Sequence, residues 1–205
     1  MIQILVATHN QGKLKEYREM LGDLGISGKK VEWVSLSDLN IDLDVEETGA
    51  SFEENARLKV ESYAKISGLL TLADDSGLEV DALGGEPGIY SARYGGGGLD
   101  DAGRYRLILE KLAGLPDSER SARFRCVIAI YMPSGEVITA DGTCEGRIAH
   151  EPKGDYGFGY DPIFYVSEKK AMLAELPPDV KHQISHRGNA LAAIRPTFEK
   201  IIADL

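Results

Sequence analysis

Two adjacent carboxylates, Asp74 and Asp75, follow the apolar residues 69–73, and this pattern predicts a buried strand that ends at Asp74. Neighbouring carboxylates repel each other and raise each other's pKa, so folding alone gives no reason for the pair. A chemical reason exists if a cation lies beside the pair, or if one carboxylate accepts a proton. Ser76, the next residue, could turn the chain or donate a hydrogen bond to a phosphate.

Two glutamates, Glu46 and Glu47, lie in an acidic and polar stretch upstream of the aspartates. Mg²⁺ prefers carboxylate oxygens, keeps several waters and usually shares its coordination shell with substrate phosphates. One glutamate from this stretch and one aspartate from the strand would supply such a site, and a second aspartate could orient or deprotonate a water. Taken alone, the two glutamates also fit a solvated loop, which is the usual place of such charges.

The motif "THNQGK", residues 8–13, lies where a first strand turns into a helix. Free backbone N–H groups and the positive end of the helix dipole form an anion site at such a turn. Asn10 and Lys13 add side-chain donors, and Gly12 lets the backbone approach an anion closely. The glycine spacing is not that of a P-loop, and a capped helix with a surface lysine is the alternative interpretation.

Lys59 follows Asn55 by four residues on a predicted helix, so both side chains lie on one face of it. This face could simply meet solvent. If it lines a cleft instead, Lys59 supplies a further cation for a phosphate.

Two later segments could recognise a planar ligand. In "GFGYDP" the ring of Phe158 stands between glycines, and stacking of an aromatic ring on a base contributes about 1–3 kcal/mol. In "KHQISHRGNAL" the side chains of Lys181, His186 and Arg187 could donate hydrogen bonds to ring carbonyl oxygens. Core packing of the phenylalanine and surface exposure of the His–Arg pair are the alternatives. Together with the anion and metal sites, these segments indicate a nucleotide ligand.

The elements that must position these residues alternate between strands and helices in the first half of the chain. Strands are predicted over 2–8, 31–36 and 69–74, and helices are predicted after Asn10 and from Ser51, where Glu54 has the spacing of a capping box. Apolar residues at helical spacing mark the first helix: Leu14, Tyr17, Leu21 and Leu24. Further predictions are a helix over 101–113, strands over 123–132, 136–142 and 144–150, and a helical stretch from Asp179 that kinks or restarts at Pro196. Alternation that gives way to meanders is typical of a mixed-sheet α/β protein.

The composition is that of a globular protein, with 205 residues, 43% hydrophobic and 27% charged, enough for one domain or two small lobes. A formal net charge of −10 argues against a nucleic-acid polymer as partner. No apolar stretch approaches the ~20 residues of a membrane span, and the first strand lacks the pattern of a signal peptide. Cys126 and Cys144 are too few for a disulfide framework, so a reduced, cytoplasmic protein is expected.

Five motifs, in this order along the chain, resemble the inosine triphosphate pyrophosphatase family, whose members hydrolyse non-standard purine nucleoside triphosphates. The motifs are "THNQGK", "ETGASFEENARLK", "ADDSGLEVDALGGEPGIYSARY", "GFGYDPIF" and "SHRGNAL", and the match runs from Ile4 to the C-terminal helix. The resemblance implies one domain over residues 1–205, with an elongated mixed α/β fold whose twisted sheet and helices form two lobes around a central nucleotide-binding cleft. It also implies a homodimer, Mg²⁺ as cofactor, and cleavage of ITP, dITP and XTP to the monophosphate and pyrophosphate.

The resemblance assigns roles to the matching residues. The triphosphate would be held by Thr8, His9, Asn10, Gln11, Gly12, Lys13 and Lys59, and the nucleotide would also be contacted by Ser76. The metal would be bound by Glu46 and Asp75, with Asp75 as proton acceptor, although Glu47 or Asp74 could share the metal. The base would stack on Phe158 in a pocket shaped by Gly159, Tyr160 and Asp161, and its edge would be read by Lys181, His186 and Arg187. His9 fills a variable position of the first motif.

Overall fold

The computed structural model describes residues 1–22 and 29–205, so Leu24 of the predicted first helix lies outside the described residues. The chain divides into two compact units. The first unit comprises Met1–Asp75, Cys126–Gly142 and Arg187–Leu205, and the second comprises Ser76–Arg125 and Thr143–His186. Within the described ranges, no helix is long and apolar enough to cross a membrane.

The described elements form a seven-stranded sheet with helices. The strands are β1 (Ile2–Val6), β2 (Val31–Ser35), β3 (Leu70–Val80), β4 (Ser121–Tyr131), β5 (Val137–Ile148), β6 (Phe164–Val166) and β7 (Ala171–Met172). The helices are α1 (Gln11–Leu21), α2 (Phe52–Ser67), α3 (Asp101–Lys111), α4 (Pro178–Ile184) and α5 (His186–Asp204). The strand order is β2-β1-β3-β4-β5-β6-β7, with β1 parallel to β2 and β3, and with β6 antiparallel to β5 and β7. This mixed sheet confirms the predicted α/β class.

Side-chain caps fix the starts of the two helices nearest the predicted site. The Oδ1 atom of Asn10 accepts the Lys13 N–H at 3.0 Å, which confirms the predicted cap of α1. At α2, the Oγ of Ser51 accepts the Glu54 N–H at 3.1 Å, whereas the Glu54 carboxylate accepts the N–H of Ala50 rather than that of the cap residue. Both helices therefore begin where the sequence predicts.

Each unit has its own hydrophobic core. In the first unit, helices α1 and α5 bury apolar side chains on the sheet, and the buried members of this core are Ile4, Val6, Leu14, Tyr17, Leu21, Leu70, Leu72, Cys126, Ile128, Ile130, Ala190, Leu191, Ile194, Phe198, Ile201 and Ile202. In the second unit, the buried members are Leu78, Val80, Ile108, Leu112, Ala122, Phe124, Cys144, Ile148, Tyr160, Ile163, Phe164, Val166, Leu173 and Leu176. The core of the first unit includes Leu70 and Leu72, which precede Asp74 on the same face of β3.

Three predicted boundaries are wrong. Strand β3 does not end at Asp74 but runs on to Val80, because buried Leu78 and Val80 continue its apolar alternation beyond the polar residues. The strands predicted over 136–142 and 144–150 are one strand, β5. Helix α5 contains Pro196 in its interior, so no new helix starts there; a kink at Pro196, the alternative, stays a prediction.

Candidate active site

Asp74 and Asp75 lie in the middle of β3, and this position explains how the chain tolerates two adjacent carboxylates. Successive side chains along a strand point to opposite faces of the sheet. Asp74 follows Leu70 and Leu72 on the face that carries the core of the first unit, so Asp75 belongs to the opposite face. Each carboxylate therefore has its own set of partners.

Asp74 belongs to a buried cluster of two cations and two carboxylates. Its Oδ2 atom accepts hydrogen bonds from Lys13 Nζ at 3.0 Å and from Arg187 Nη2 at 3.2 Å. The Nη1 atom of Arg187 also donates to Glu16 Oε2 at 2.5 Å. The thiol of Cys126 lies 3.6 Å from Asp74 Oδ2. The four charges balance, which is the condition under which buried ions are stable.

Asp75 contacts helix α2 and, through it, the acidic stretch. Its Oδ1 atom accepts a hydrogen bond from Lys59 Nζ at 2.9 Å, and its Oδ2 atom accepts a longer one from Asn55 Nδ2 at 3.3 Å. Lys59 Nζ also donates to Glu47 Oε1 at 2.8 Å. The helix face shared by Asn55 and Lys59 therefore points at an aspartate, not at solvent.

The two environments move the carboxyl pKa values of the aspartates in opposite directions. Burial opposes the ionisation of Asp74, but the charges of Lys13 and Arg187 outweigh it and hold the pKa of that carboxyl well below its usual range. Burial raises the pKa of Asp75, and Lys59 offsets this effect only in part. Asp74 is therefore held ionised, whereas Asp75 has the higher proton affinity that suits a general base.

The acidic stretch brings only one of its two glutamates to Asp75. Glu47 is half-buried and shares the ammonium of Lys59 with Asp75, whereas Glu46 is exposed and its carboxylate makes no hydrogen bond or ion pair with the described residues. For Lys59, burial opposes the charged form, but the two carboxylates outweigh it and raise its pKa. Glu46 as a metal ligand stays a prediction, and the geometry favours Glu47, the alternative.

The first motif forms a tight turn into α1. The Oγ1 atom of Thr8 accepts the Asn10 N–H at 3.1 Å, and the Asn10 side chain is engaged in the helix cap. The Lys13 side chain reaches back to Asp74, and the ring of His9 bonds a backbone oxygen of the acidic stretch. Gln11 and Gly12 are the first two residues of α1; Gln11 is exposed and Gly12 is half-buried. Triphosphate binding by this motif stays a prediction.

A second polar group, in the second unit, surrounds Phe158. The Oδ2 atom of Asp161 accepts the Phe158 N–H at 2.9 Å and pairs with Lys181 Nζ at 2.5 Å. That ammonium lies 5.2 Å from the centroid of the Phe158 ring, which is half-buried. The Gly159 N–H donates to Asp101 Oδ2 at 2.8 Å. The ammonium of Lys181 thus lies over the Phe158 ring, and stacking of a base on this ring stays a prediction.

The remaining predicted base-site residues have separate partners. The Tyr160 hydroxyl donates to the Ser91 carbonyl at 2.8 Å, and the ring of His186 stacks on that of Phe124, with centroids 4.7 Å apart. Ser76 is half-buried in the second unit. Arg187, in contrast, belongs to the first unit and binds carboxylates there, so its role as a donor to the base edge stays a prediction.

Sequence reasoning missed three residues of these groups. Glu16 lies three residues after Lys13 on α1, and this helical spacing was the available signal for a shared buried face. Asp101, which holds the Gly159 amide, looks like an ordinary acidic residue in the first turn of a helix. Cys126 carries no local signal, because its position beside Asp74 depends on the pairing of distant strands.

Comparisons with known proteins identify the family of this chain. The model of the Ham1 family matches residues 4–197, and this chain belongs to that family. The dITP/XTP pyrophosphatase of Bacillus subtilis (strain 168) is 46% identical over 199 residues, which are 97% of this chain and 98% of the relative. That of Desulforamulus reducens is 49% identical over 190 residues, 93% of this chain and 92% of the relative.

Solved structures carry the same fold. The Staphylococcus aureus Ham1 protein matches with a TM-score of 0.83 and 43% identity, over 97% of this chain and 98% of that chain. A nucleoside-triphosphatase, or dITP/XTP pyrophosphatase, from Mycobacterium abscessus matches with a TM-score of 0.74 and 46% identity, over 95% of this chain and 100% of that chain. The family predicted from the five motifs is confirmed, and the names of these relatives agree with the predicted enzyme class, a nucleoside triphosphate pyrophosphatase.

Proposed function

We propose that this protein hydrolyses dITP, XTP and ITP to the nucleoside monophosphate and pyrophosphate, with Mg²⁺ as its metal, and so removes non-standard purines from the nucleotide pool. The observation that carries the proposal is the buried Asp75, which has a raised pKa and lies between Lys59 and Asn55. The relatives that are 46–49% identical to this chain and bear the name dITP/XTP pyrophosphatase support it independently.

The donor set beside Asp75 fits a magnesium ion. The carboxylates of Glu47 and Asp75 both contact Lys59 Nζ, at 2.8 and 2.9 Å, so their oxygens already converge on one cation. No group of three or more metal-ligating side chains occurs in residues 1–22 and 29–205. Two carboxylates suit Mg²⁺, which keeps several waters and shares its shell with substrate phosphates. Glu47 and Asp75 would hold the ion, which when bound supplies charge neutralisation on the phosphate oxygens.

The chain's own residues account for the movement of the proton. A water attacks the α-phosphorus, the bond from that phosphorus to the bridging oxygen breaks, and pyrophosphate leaves. Asp75 would take the proton of the water at Oδ2, whose only hydrogen bond within the described residues is the 3.3 Å contact from Asn55. Lys59, together with Lys13 of the first motif, would offset the negative charge that develops on the leaving group.

Base selection would rest on the group around Phe158. Hypoxanthine and xanthine carry a carbonyl oxygen at C6, whereas adenine presents an amino group there. Lys181, over the Phe158 ring, would donate one N–H to that carbonyl while it keeps its pair with Asp161, and an amino group in place of the carbonyl would offer this N–H no acceptor. A site built to bond one polar group discriminates strongly against analogues that lack it. His186 and Arg187 remain further proposed donors.

The direct test measures pyrophosphate and orthophosphate release, with Mg²⁺, from ITP, XTP, dITP, ATP, GTP and dTTP. We expect pyrophosphate from the first three nucleotides and little product from the others; guanine also carries the C6 carbonyl, so little product from GTP would in addition require exclusion of its 2-amino group. Orthophosphate would mean attack at the γ-phosphorus and would contradict the placement of Asp75. Binding of ITP without any product would indicate a nucleotide-binding regulator instead of an enzyme.

Two further expectations concern the protein in the cell. We propose a homodimer, as the family resemblance implies, and a location in the cytoplasm, as expected from two cysteines that are too few for a disulfide framework. Light scattering coupled to size-exclusion chromatography decides the oligomeric state, and a mass of one 22.3 kDa chain would contradict the dimer.

A further inference from the structure

The acidic segment, residues 43–49, lies along α2 and is held by three side chains of that helix. These side chains come from Asn55, Lys59 and Tyr63, which are spaced four residues apart and so share one helix face. The contacts are Asn55 Oδ1 with the Gly49 N–H (2.8 Å), Lys59 Nζ with Glu47 Oε1 (2.8 Å), and the Tyr63 hydroxyl with the Val45 N–H (3.4 Å) and the Leu43 carbonyl (2.9 Å). The anchored residues, 43, 45, 47 and 49, are thus every second residue of the segment.

A second donor reaches the same backbone oxygen. The Nε2 atom of His9 lies 2.9 Å from the Leu43 carbonyl oxygen, which also accepts from the Tyr63 hydroxyl. Because a carbonyl only accepts, the proton of this hydrogen bond belongs to the His9 ring. His9 lies in the turn that leads into α1, so the segment is tied to two elements at this one point.

The anchored register decides which glutamate faces the aspartate. Within residues 45–49 the residues that contact α2 alternate with residues that do not, so a slip of one residue would exchange the two sets. Over residues 45–49 the exposures alternate: Glu46 and Thr48 are exposed, whereas Val45, Glu47 and Gly49 are half-buried. Leu43 is anchored through its backbone carbonyl, and its side chain is exposed. A one-residue slip would turn Glu47 to solvent and bring Glu46 to Lys59.

We propose that Tyr63 and His9 are positioning residues that fix the register of segment 43–49 and thereby hold Glu47 beside Asp75. Tyr63 is only 2% exposed, so its hydroxyl is a rigid anchor, and the exposed His9 reinforces it from outside. Neither residue would then touch the substrate. This gives His9 a different role from the triphosphate contact that the sequence motif suggests.

The first test is hydrogen–deuterium exchange over residues 41–50, measured by mass spectrometry on the full chain. Tyr63→Phe keeps the buried ring and removes only the hydroxyl, and Tyr131→Phe, at the end of β4, is the matched control. We expect faster exchange over 43–49 in Tyr63→Phe and in His9→Ala, and wild-type exchange in the control. His9→Gln should restore protection, because its amide nitrogen reaches about as far as the imidazole Nε2, whereas the shorter His9→Asn should not.

The second test rests on the proposed function and measures the Mg²⁺ dependence of pyrophosphate release from ITP. A lost hydrogen bond that misplaces Glu47 should raise the apparent KM for Mg²⁺ roughly 3- to 10-fold in Tyr63→Phe and in His9→Ala. The kcat at saturating Mg²⁺ should change much less, because Asp75 keeps its own partners. A merely structural effect would instead lower the amount of active enzyme and leave this KM unchanged.

The outcomes separate the inference from the proposed function. Unchanged exchange over 43–49 in both Tyr63→Phe and His9→Ala would overturn the anchor, whatever the activity. Faster exchange with an unchanged KM for Mg²⁺ would overturn the link to Glu47. A wild-type protein without pyrophosphatase activity would refute the proposed function, and the exchange experiment would still decide the anchor.

Discussion

Replacing each aspartate of the adjacent pair by asparagine should separate stability from chemistry. Around Asp74, the charges of Lys13 and Arg187 are balanced by those of Glu16 and Asp74 itself. Asp74→Asn leaves one buried positive charge without compensation. Breaking a buried ion pair in this way costs about 3–5 kcal/mol of unfolding free energy.

Around Asp75 the charges do not balance. One cation, Lys59, faces two carboxylates, so the group carries a net charge of −1 that Asp75→Asn removes. The variant keeps the contact between Lys59 and Glu47, and we expect a change in unfolding free energy within ~1 kcal/mol. Its loss is chemical: removing a general base typically lowers kcat about 10²- to 10⁴-fold.

Thermal unfolding and pyrophosphate release, measured on the same samples, test the stability loss expected for Asp74→Asn and the loss of turnover expected for Asp75→Asn. For a chain of 205 residues, each kcal/mol shifts Tm by about 2–4 °C, so Asp74→Asn should lower Tm by roughly 6–20 °C. Asp75→Asn should keep Tm and ITP binding but lose turnover. The exposed Asp155→Asn is the control for a lost charge. Retained turnover in Asp75→Asn would refute the general base, and an unchanged Tm in Asp74→Asn would refute the charge count.

The same contrast predicts the acid behaviour of the folded protein. The pKa of Asp74 is lower in the folded state than its unfolded value of about 3.9. Its contribution to stability is therefore present above that unfolded pKa and is lost as the pH falls below it. Urea unfolding between pH 6 and 3 should show a smaller decline for Asp74→Asn than for the wild type.

Three further outcomes are expected. Gly157→Ala should raise the KM for ITP, because a Cβ there would lie 2.0 Å from Asp161 Oδ2 and 3.0 Å from Lys181 Nζ, at a φ of +77° that disfavours alanine; an unchanged KM would separate this pair from base binding. EDTA should abolish pyrophosphate release, and added Mg²⁺ should restore it; activity in EDTA would exclude the metal requirement. At pH 8 iodoacetamide should leave the folded protein unmodified, because burial raises the pKa of Cys126 and that of Cys144 to about 11; mass spectrometry should find both modified only after unfolding.

The sequence was sufficient to predict features that depend only on residues three or four positions apart. The helix starts at Asn10 and Ser51 rest on side chains that bond amides three residues away, so spacing alone predicts them. The shared face of Asn55 and Lys59 follows from helical periodicity in the same way. The two helix starts and the shared face place most residues of the first motif and of the α2 face that contacts Asp75.

The failures concern features that depend on distant partners. Two carboxylates and a serine look like the end of a strand, yet β3 continues because Asp74 and Asp75 each find cations contributed by helices. The choice between Glu46 and Glu47 depends on the register of the segment against α2, which no local pattern contains. The cations that pair with Asp74 and Asp75 come from helices distant in the sequence, so the pairs cannot be predicted before the packing of these helices on the sheet is known.

The composition of the first unit has a consequence for how the chain is synthesised. This unit unites the first strand with α5, whose Ala190, Ile194 and Phe198 lie in the same core as Ile4 of β1. The ribosome releases α5 after every other described element, so the core of the first unit stays incomplete while the segments of the second unit are already available to fold. Late closure of this kind exposes apolar surface on the nascent chain. We therefore expect stalled or truncated chains that lack α5 to aggregate or bind chaperones before any active site exists.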